Sequence, residues 1–389
     1  MTLAEEALNL HRKLKGKIEI SSKHQVMTKE ILSLLYTPGV AEVSKEIARH
    51  KETVYDYTSK WNTIAIVSDG SRVLGLGNIG AEAALPVMEG KALLFKLFGK
   101  VDAFPICLKT QNADEIVEII KAISPSFGGI NLEDIDSPKC FEIFDELNGS
   151  LGIPVYHDDQ HGSGMVAAAG LINSLRVVGK KLNEAKVVVV GAGSAGYGIV
   201  TLLDAIGVKN ILVVDSKGII YSGRGGLNKY KQKLAEMTNK EGMQGSLDDA
   251  LNEADVLIGA SGIEGLFKDE MIKKMNDDAI VFALTNPNPE IMPEGAKDAA
   301  VIATGRSDYP NQINNVLVFP GVMRGLLDVR AKAVNNEILV AGTYALADIV
   351  KDGLRKDYIL PLPTDERILP AVSNAVKDAA IKTGVAQQT

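Results

Sequence analysis

The sequence predicts an α/β protein of two domains: a helical N-terminal segment leading into a parallel, helix-covered sheet, then a Rossmann-like, doubly wound domain. Three observations predict this. Short β-branched runs alternate with helical patterns from residue 62 onward, as expected of parallel strands joined by crossover helices. The alternation restarts as a second series at "AKVVVVGAGSAG" (185–196). The 389 residues suffice for two domains at roughly 100–200 residues each.

The elements follow in order. The first 60 residues read as helical, interrupted by a Thr-Pro-Gly turn in "LLYTPGVAEVSKEIARH". In the first series, "NTIAIVSDG" (62–70), "VDAFPICL" (101–108), "GGINLED" (128–134) and "IPVYHDD" (153–159) are strands. Residues 81–99 and 113–123 are helices by their apolar spacing. "SPKCFEIFDEL" (137–147) is a third helix, with Ser137 as N-cap and Pro138 at the first helical position. A long helix, "SGMVAAAGLINSLRVVG", joins the series, placing the boundary near residue 160 and the domains at 1–160 and 161–389. The second series has strands at 185–190, 210–215, 254–260, 279–287 and 300–305. Helices at 336–350 and 367–382 are expected to pack back onto a domain or a partner subunit.

Composition narrows the function. Apolar residues make up 46% and charged residues 23%, an ordinary globular mix. A net charge of −7 with no basic run argues against a nucleic-acid partner. Two cysteines, Cys107 and Cys140, exclude a disulfide framework and a thiolate zinc site. The N-terminus has no apolar signal region, and no stretch approaches the roughly 18 apolar residues of a membrane span. A cytoplasmic protein acting on small molecules is expected.

"GAGSAG" supplies Gly191, Ala192, Gly193, Ser194, Ala195 and Gly196 after an apolar strand and at the start of a helix. The glycines allow a tight turn, and the helix N-terminus can then hold a pyrophosphate. Asp215, 19 residues after Gly196, ends the next strand and is suited to the ribose hydroxyls of NAD. Lys217 nearby could favour a 2′-phosphate, so NAD is preferred and NADP stays open.

Ligands of open α/β sheets bind beyond the carboxyl ends of the strands. Three clusters fall there, "SDGSR" (68–72), "LED" (132–134) and "HDDQH" (157–161), and should converge. Glu133, Asp134 and one of Asp158 or Asp159 would give three hard oxygen ligands, suited to Mg²⁺ or Mn²⁺. His157 and His161 would suggest zinc only as ligands. In a strand-to-helix turn His157 and Asp159 are expected to point opposite ways, so the whole run cannot face one ion.

"LLYTPGVA", "SDGSRVLGLGNIG", "MEGKALLFKLFG", "NLEDI", "YHDDQHGSG", "VVGAGSAG", "ALTNPNPE" and "NNVLVFPGV" stand in one order along residues 10–380. Together they resemble malic enzymes of the short bacterial type. The resemblance implies NAD(P)-dependent oxidative decarboxylation of malate to pyruvate and CO₂, with Mg²⁺ or Mn²⁺. It implies Lys91 as the base for the C2 hydroxyl, which requires a lowered pKa that a nearby divalent cation would supply. It further implies Glu133, Asp134 and Asp159 as metal ligands, Asp158 as the residue orienting Lys91, and Tyr36 as the acid that protonates C3. Arg72 would grip a substrate carboxylate. Asn286 and Asn315, with Asn314 as alternate, would bind substrate or nicotinamide. Taken singly, Lys91 reads as a solvated helix residue, Tyr36 as a packing tyrosine and Arg72 as a surface arginine; their joint occurrence argues for a site. On this reading His157 and His161 are supporting residues. An oxaloacetate decarboxylase without net redox chemistry is the alternative, and a non-catalytic nucleotide sensor the reading from another class. A homodimer is expected by base rate, with the N-terminal helices as its surface, and Tyr36 could serve either subunit.

Overall fold

The computed structural model describes residues 2–388. The N-terminal segment comprises α1 (Leu3–Leu14), α2 (Lys29–Leu35), α3 (Val40–Arg49) and α4 (Val54–Tyr57). Thr2 and Glu5 form a reciprocal capping box at the start of α1. None of these helices contributes a buried residue. The Thr37–Pro38 peptide, between α2 and α3, is cis.

The first sheet contains β1 (Thr63–Ser68), β2 (Asp102–Cys107), β3 (Gly129–Leu132) and β4 (Val155–His157) in the order β2-β1-β3-β4. All its pairs are parallel. The crossovers are α5 (Ala81–Gly99), α6 (Ala113–Ile123) and α7 (Lys139–Leu147). Ser137 does not cap α7 as the sequence suggested. The Ser137–Pro138 peptide is cis, α7 begins at Lys139 without a side-chain cap, and Ser137 instead faces the groove described below.

Strand β4 is also shorter than predicted, and α8 (Asp158–Val178) begins within the "HDDQH" run. Asp158 and Asp159 thus occupy a first helical turn, where the helix dipole favours carboxylates. Helix α8 is buried along most of its length. It packs on α9 (Ser194–Ala205), the helix that follows "GAG". A Cβ on Gly164 would fall 2.6 Å from the Gly198 oxygen, and one on Gly198 1.9 Å from the Gln160 oxygen. Backbone contact at these two glycines sets the distance between the two halves.

The second sheet has β5 (Lys186–Val190), β6 (Asn210–Asp215), β7 (Gly218–Ile219), β8 (Val256–Gly259), β9 (Ile280–Ala283) and β10 (Val301–Thr304). Their order is β10-β9-β8-β5-β6-β7, parallel except for the β6–β7 hairpin. Chain order reverses between β5 and β8, so the switch point that binds ligands lies there. The smaller helices α10 (Lys229–Met237), α11 (Leu247–Leu251) and α12 (Asp269–Ile272) complete this half. Of the terminal helices, α14 (Asn336–Asp348) and α15 (Ile368–Lys382) pack back as expected, α14 on α8 and α15 on α14. Helix α13 (Phe319–Asp328), which the sequence reading did not single out, packs between α15 and α5. One apolar core runs from the first sheet through α8 to the inner face of the second, and a smaller one covers its outer face.

Candidate active site

Parallel register brings the ends of the first sheet together, because Val67 pairs with Leu132 and Leu132 with His157. The residues just beyond are Ser68–Arg72, Glu133–Asp134 and Asp158–Asp159, so the three predicted clusters converge. Glu133, Asp134 and Asp159 each offer a carboxylate oxygen within 4.8 Å of the others'. The backbone N–H of Asp134 donates to Asp159 Oδ2 at 2.8 Å. Asn131 Nδ2 donates to Glu133 Oε2 at 2.8 Å. Asp134 Oδ2 is buried with no hydrogen-bond partner, as is Asp158 Oδ1. Converging hard oxygens, one of them orphaned, fit an Mg²⁺- or Mn²⁺-sized cation.

Lys91 comes from the buried face of α5. Its Nζ lies 2.6 Å from Asp158 Oδ2, 2.8 Å from Glu133 Oε1 and 4.2 Å from the centre of the Phe319 ring. Asn315 Nδ2 also donates to Asp158 Oδ2. Burial alone would push the Lys91 pKa down, but Asp158 and Glu133 outweigh it and hold the ammonium above its ordinary value. That is the reverse of the lowering that a base needs, and it comes from protein carboxylates alone. Burial raises Glu133 well above its usual range, with Asp158 and Asp159 adding to the shift. Burial and the Asp159 charge push Asp134 up to about 8. Burial raises Asp158 too. Asp159 is low despite its burial, through the His157 ring close by, the Lys91 charge and the hydrogen bond from Asp134 N–H.

The nearness of His157 corrects one expectation. His157 and Asp159 do not diverge: His157 Nε2 approaches Asp159 Oδ2 to 3.7 Å, because the helix starts between them. The other ring nitrogen, Nδ1, faces Gln160 Oε1 at 3.2 Å. His161 packs edge-on to Phe144, and its Nδ1 accepts from the His157 backbone N–H. Burial, helped by His157, pushes its pKa down to about 3, so it stays neutral at physiological pH. Neither histidine belongs to the cluster of candidate ligands.

Arg72 is anchored by its backbone, whose N–H donates to the Asp134 oxygen at 3.0 Å. Its exposed side chain crosses to the second half, where a Cβ on Gly262 would lie 3.0 Å from Nη2. Asn286 stands beyond β9 before a cis Asn286–Pro287 peptide, and its oxygen abuts Gly75 of the first half. Asn314 uses its side chain to cap Val316 N–H. Tyr36 ends α2, 64% exposed, and its hydroxyl makes no hydrogen bond among the described residues.

A groove of about 980 Å³ runs along the ends of β5, β6 and β8 and includes Gly191, Gly193, Asp215 and Ser261. Ser137 and Phe141 of the first half close its other wall. Gly191 has φ 112°, and a Cβ on Gly196 would meet the Gly191 oxygen at 1.9 Å, so the motif glycines do what close approach requires. Asp215 is more engaged than expected. Its Oδ1 accepts from Lys217 N–H at 2.9 Å, and its Oδ2 from Arg224 at 2.6 Å and Lys231 at 2.7 Å. Burial opposes ionisation there, but these bonds hold its pKa down at about 2. No motif announced Arg224 or Lys231. Asn131 was readable in principle, since it shares a strand face with Glu133.

Residues 15–148 match the family model of the malic enzyme N-terminal domain, and residues 160–386 that of the malic enzyme NAD-binding domain. The chain belongs to the malic enzyme family. The bifunctional malic/malolactic enzyme of Bacillus subtilis is 53% identical to it, over 100% of this chain and 96% of that protein. The NAD-dependent malic enzyme of Geobacillus stearothermophilus is 52% identical over 96% of this chain and 78% of its own. Among solved structures, the malic enzyme of Pyrococcus horikoshii superposes with a TM-score of 0.96 at 49% identity, covering 100% of this chain and 93% of that one. The NAD-dependent malic enzyme of Thermotoga maritima gives 0.92 at 48% identity, covering 95% and 98%. Malic enzymes are oxidoreductases, and this family carries the two-domain arrangement described above.

Proposed function

We propose that the protein oxidises and decarboxylates malate to pyruvate and CO₂ with reduction of NAD(P). The observation that carries this reading is Lys91 held between Asp158 and Glu133, beside the cluster of Glu133, Asp134 and Asp159. The C2 hydrogen would leave as hydride to the nicotinamide, and the hydroxyl proton would be taken at Lys91 Nζ once that ammonium has given up its own proton. That state is favoured when a cation held at Glu133 offsets one of the two charges that keep Lys91 protonated. Arg72 grips a carboxylate of malate, while Asn286 and Asn315 orient substrate and nicotinamide. When the C3–C4 bond breaks, CO₂ departs and its electrons remain on C3, which Tyr36 protonates. Glu133, Asp134 and Asp159 would hold Mg²⁺ or Mn²⁺, which supplies Lewis-acid stabilisation of negative charge on the substrate oxygens. Absorbance of NADH or NADPH on adding malate and Mn²⁺, with pyruvate assayed as product, tests the reading. Lactate without net NADH would instead favour the malolactic activity named for the Bacillus subtilis relative.

Cofactor choice turns on Asp215. Its charge favours NAD, but Arg224 and Lys231 stand ready for a 2′-phosphate, so NAD is the preferred cofactor and NADP an accepted one. Asp215→Ser would release both cations, and kcat/KM for NADP should rise relative to NAD. An unchanged ratio would remove Asp215 from the adenine-ribose site. We further place the domain boundary near residue 160, at the start of the buried helix α8 that joins the sheets. A cytoplasmic homodimer completes the proposal. No described helix is long and apolar enough to cross a membrane.

A further inference from the structure

Behind the ends of β8 and β9 lies a charge that the reaction scheme does not use. Glu290 is 0% exposed. Its Oε1 accepts from Ser261 N–H at 2.9 Å, Ser261 Oγ at 2.9 Å and Thr285 Oγ1 at 2.6 Å, and its Oε2 accepts from Thr285 N–H at 3.1 Å. Both hydroxyls are fixed in the donor role, because Ser261 Oγ already accepts from Ile263 N–H and Thr285 Oγ1 from Gly262 N–H. Among the described residues, every hydrogen-bond partner of the carboxylate is therefore a donor, and none is a cation. Gly259, at the end of β8, makes room for it: a Cβ there would lie 2.6 Å from the Glu290 carboxyl carbon. A buried carboxylate ringed by neutral dipoles keeps its field, whereas one paired with lysine or arginine largely cancels it.

Its location gives that field a target. The groove runs from Gly191 and Gly193 to Asp215 on β6, so a dinucleotide would set its pyrophosphate at the glycines and its adenine side near Asp215. The nicotinamide must then extend the other way from the switch point, over the ends of β8 and β9. Ser261, at the end of β8, lines the groove and rests on Glu290, and Asn286 follows Thr285 directly. Only the oxidised nicotinamide carries a positive charge. We propose that Glu290 is a positioning residue that holds the loops after β8 and β9 under the nicotinamide, and that its buried negative charge favours the oxidised cofactor over the reduced one. The proposal rests on the dinucleotide reading of the groove.

The test is the pair of dissociation constants for NAD⁺ and NADH, or for the 2′-phosphorylated pair if the wild type binds that one. Glu290→Gln keeps the shape and removes the charge. Its oxygen can keep the three donors of Oε1 while its amide nitrogen gives up the bond from Thr285 N–H, a neutral loss for which Thr285→Val is the control. Glu290→Gln should weaken NAD⁺ about five- to tenfold more than NADH, as expected of a charge in a low-dielectric site. Thr285→Val removes a neutral donor and leaves the charge, so both forms should weaken in parallel, with their ratio within about twofold of wild type. An unmoved ratio in Glu290→Gln, or an equal movement in Thr285→Val, overturns the assignment. Should Glu290→Gln fail to fold, Glu290→Asp carries the test: both affinities fall, and a ratio shifted beyond that of Thr285→Val overturns it. A wild-type chain that binds neither pair removes the dinucleotide reading itself, and with it the proposal.

Discussion

Asp159 reaches the carboxylate cluster from the first turn of α8, with one oxygen held by Asp134 N–H and near His157. Asp159→Ala should therefore weaken Mn²⁺ binding by more than about 100-fold, since even residues behind the ligands cost roughly 10–100-fold. Calorimetry with Mn²⁺ alone checks this without turnover. NAD binding should survive, because "GAGSAG" lies in the other half. His161→Gln, which alters a neutral ring packed on Phe144, should cost far less. A Mn²⁺ affinity unchanged in Asp159→Ala, or lost equally in His161→Gln, would move the ligands elsewhere. At this scale the acids were legible because parallel strands deliver their carboxyl ends to one edge. The approach of His157 to Asp159 was not, since it depends on the helix starting at Asp158 rather than further along the run. The partners of Asp215 were hidden for a related reason: Arg224 and Lys231 reach it only after the β6–β7 hairpin and the first turn of α10 bring the chain back.

At the scale of elements, the α8–α9 contact joins the carboxylate site to the dinucleotide site. Gly198→Ala would drive a methyl group into the Gln160 oxygen, in the turn that carries Asp158 and Asp159. Overpacking of this kind costs about 1–3 kcal/mol. Urea unfolding should show that loss, and the KM values for malate and NAD should rise together as the helices separate. Full stability would mean that α8 and α9 do not meet backbone to backbone. The β6–β7–α10 corner gives a pH prediction. Folding lowers the Asp215 pKa to about 2 from an ordinary value of about 3.9, so folding releases a proton in that window and stability rises with pH. The contribution is complete above about pH 4 and disappears as pH falls towards 2. Arg224→Ala should flatten that part of the stability profile, and a slope identical to wild type would show that the pair does not form. Periodicity did not locate the short β7 or the helices α10 to α13, but it did locate the long helices and the parallel strands. Their ends moved where local chemistry intervened, as at Ser137–Pro138, and the glycine contact between helices left no periodic trace at all.

Over the whole molecule, the exposed apolar surface is concentrated in the N-terminal segment. Leu3, Leu10 and Leu14 of α1 lie open, as do Leu32, Leu34 and Leu35 of α2, next to Tyr36. Exposed apolar faces of this extent mark contact surfaces, and a second copy is the occupant expected of a homodimer. The sequence pointed to both the segment and Tyr36, but among the described residues of a single chain the Tyr36 hydroxyl has no hydrogen-bond partner. The order of the chemistry then separates Tyr36 from Lys91. Lys91→Ala should block NADH formation from malate and equally the reduction of supplied oxaloacetate by NADH, since both pass a proton through the C2 oxygen. Tyr36→Phe should slow pyruvate formation yet keep oxaloacetate reduction, which needs no proton at C3. Leu10→Asp with Leu14→Asp should lower the sedimenting mass and, by freeing the segment that carries Tyr36, reproduce the Tyr36→Phe pattern rather than the Lys91→Ala one. Whichever subunit Tyr36 serves, its placement then depends on the assembled pair. A double variant that sediments as a monomer while turning malate into pyruvate at the full rate would detach Tyr36 from the interface.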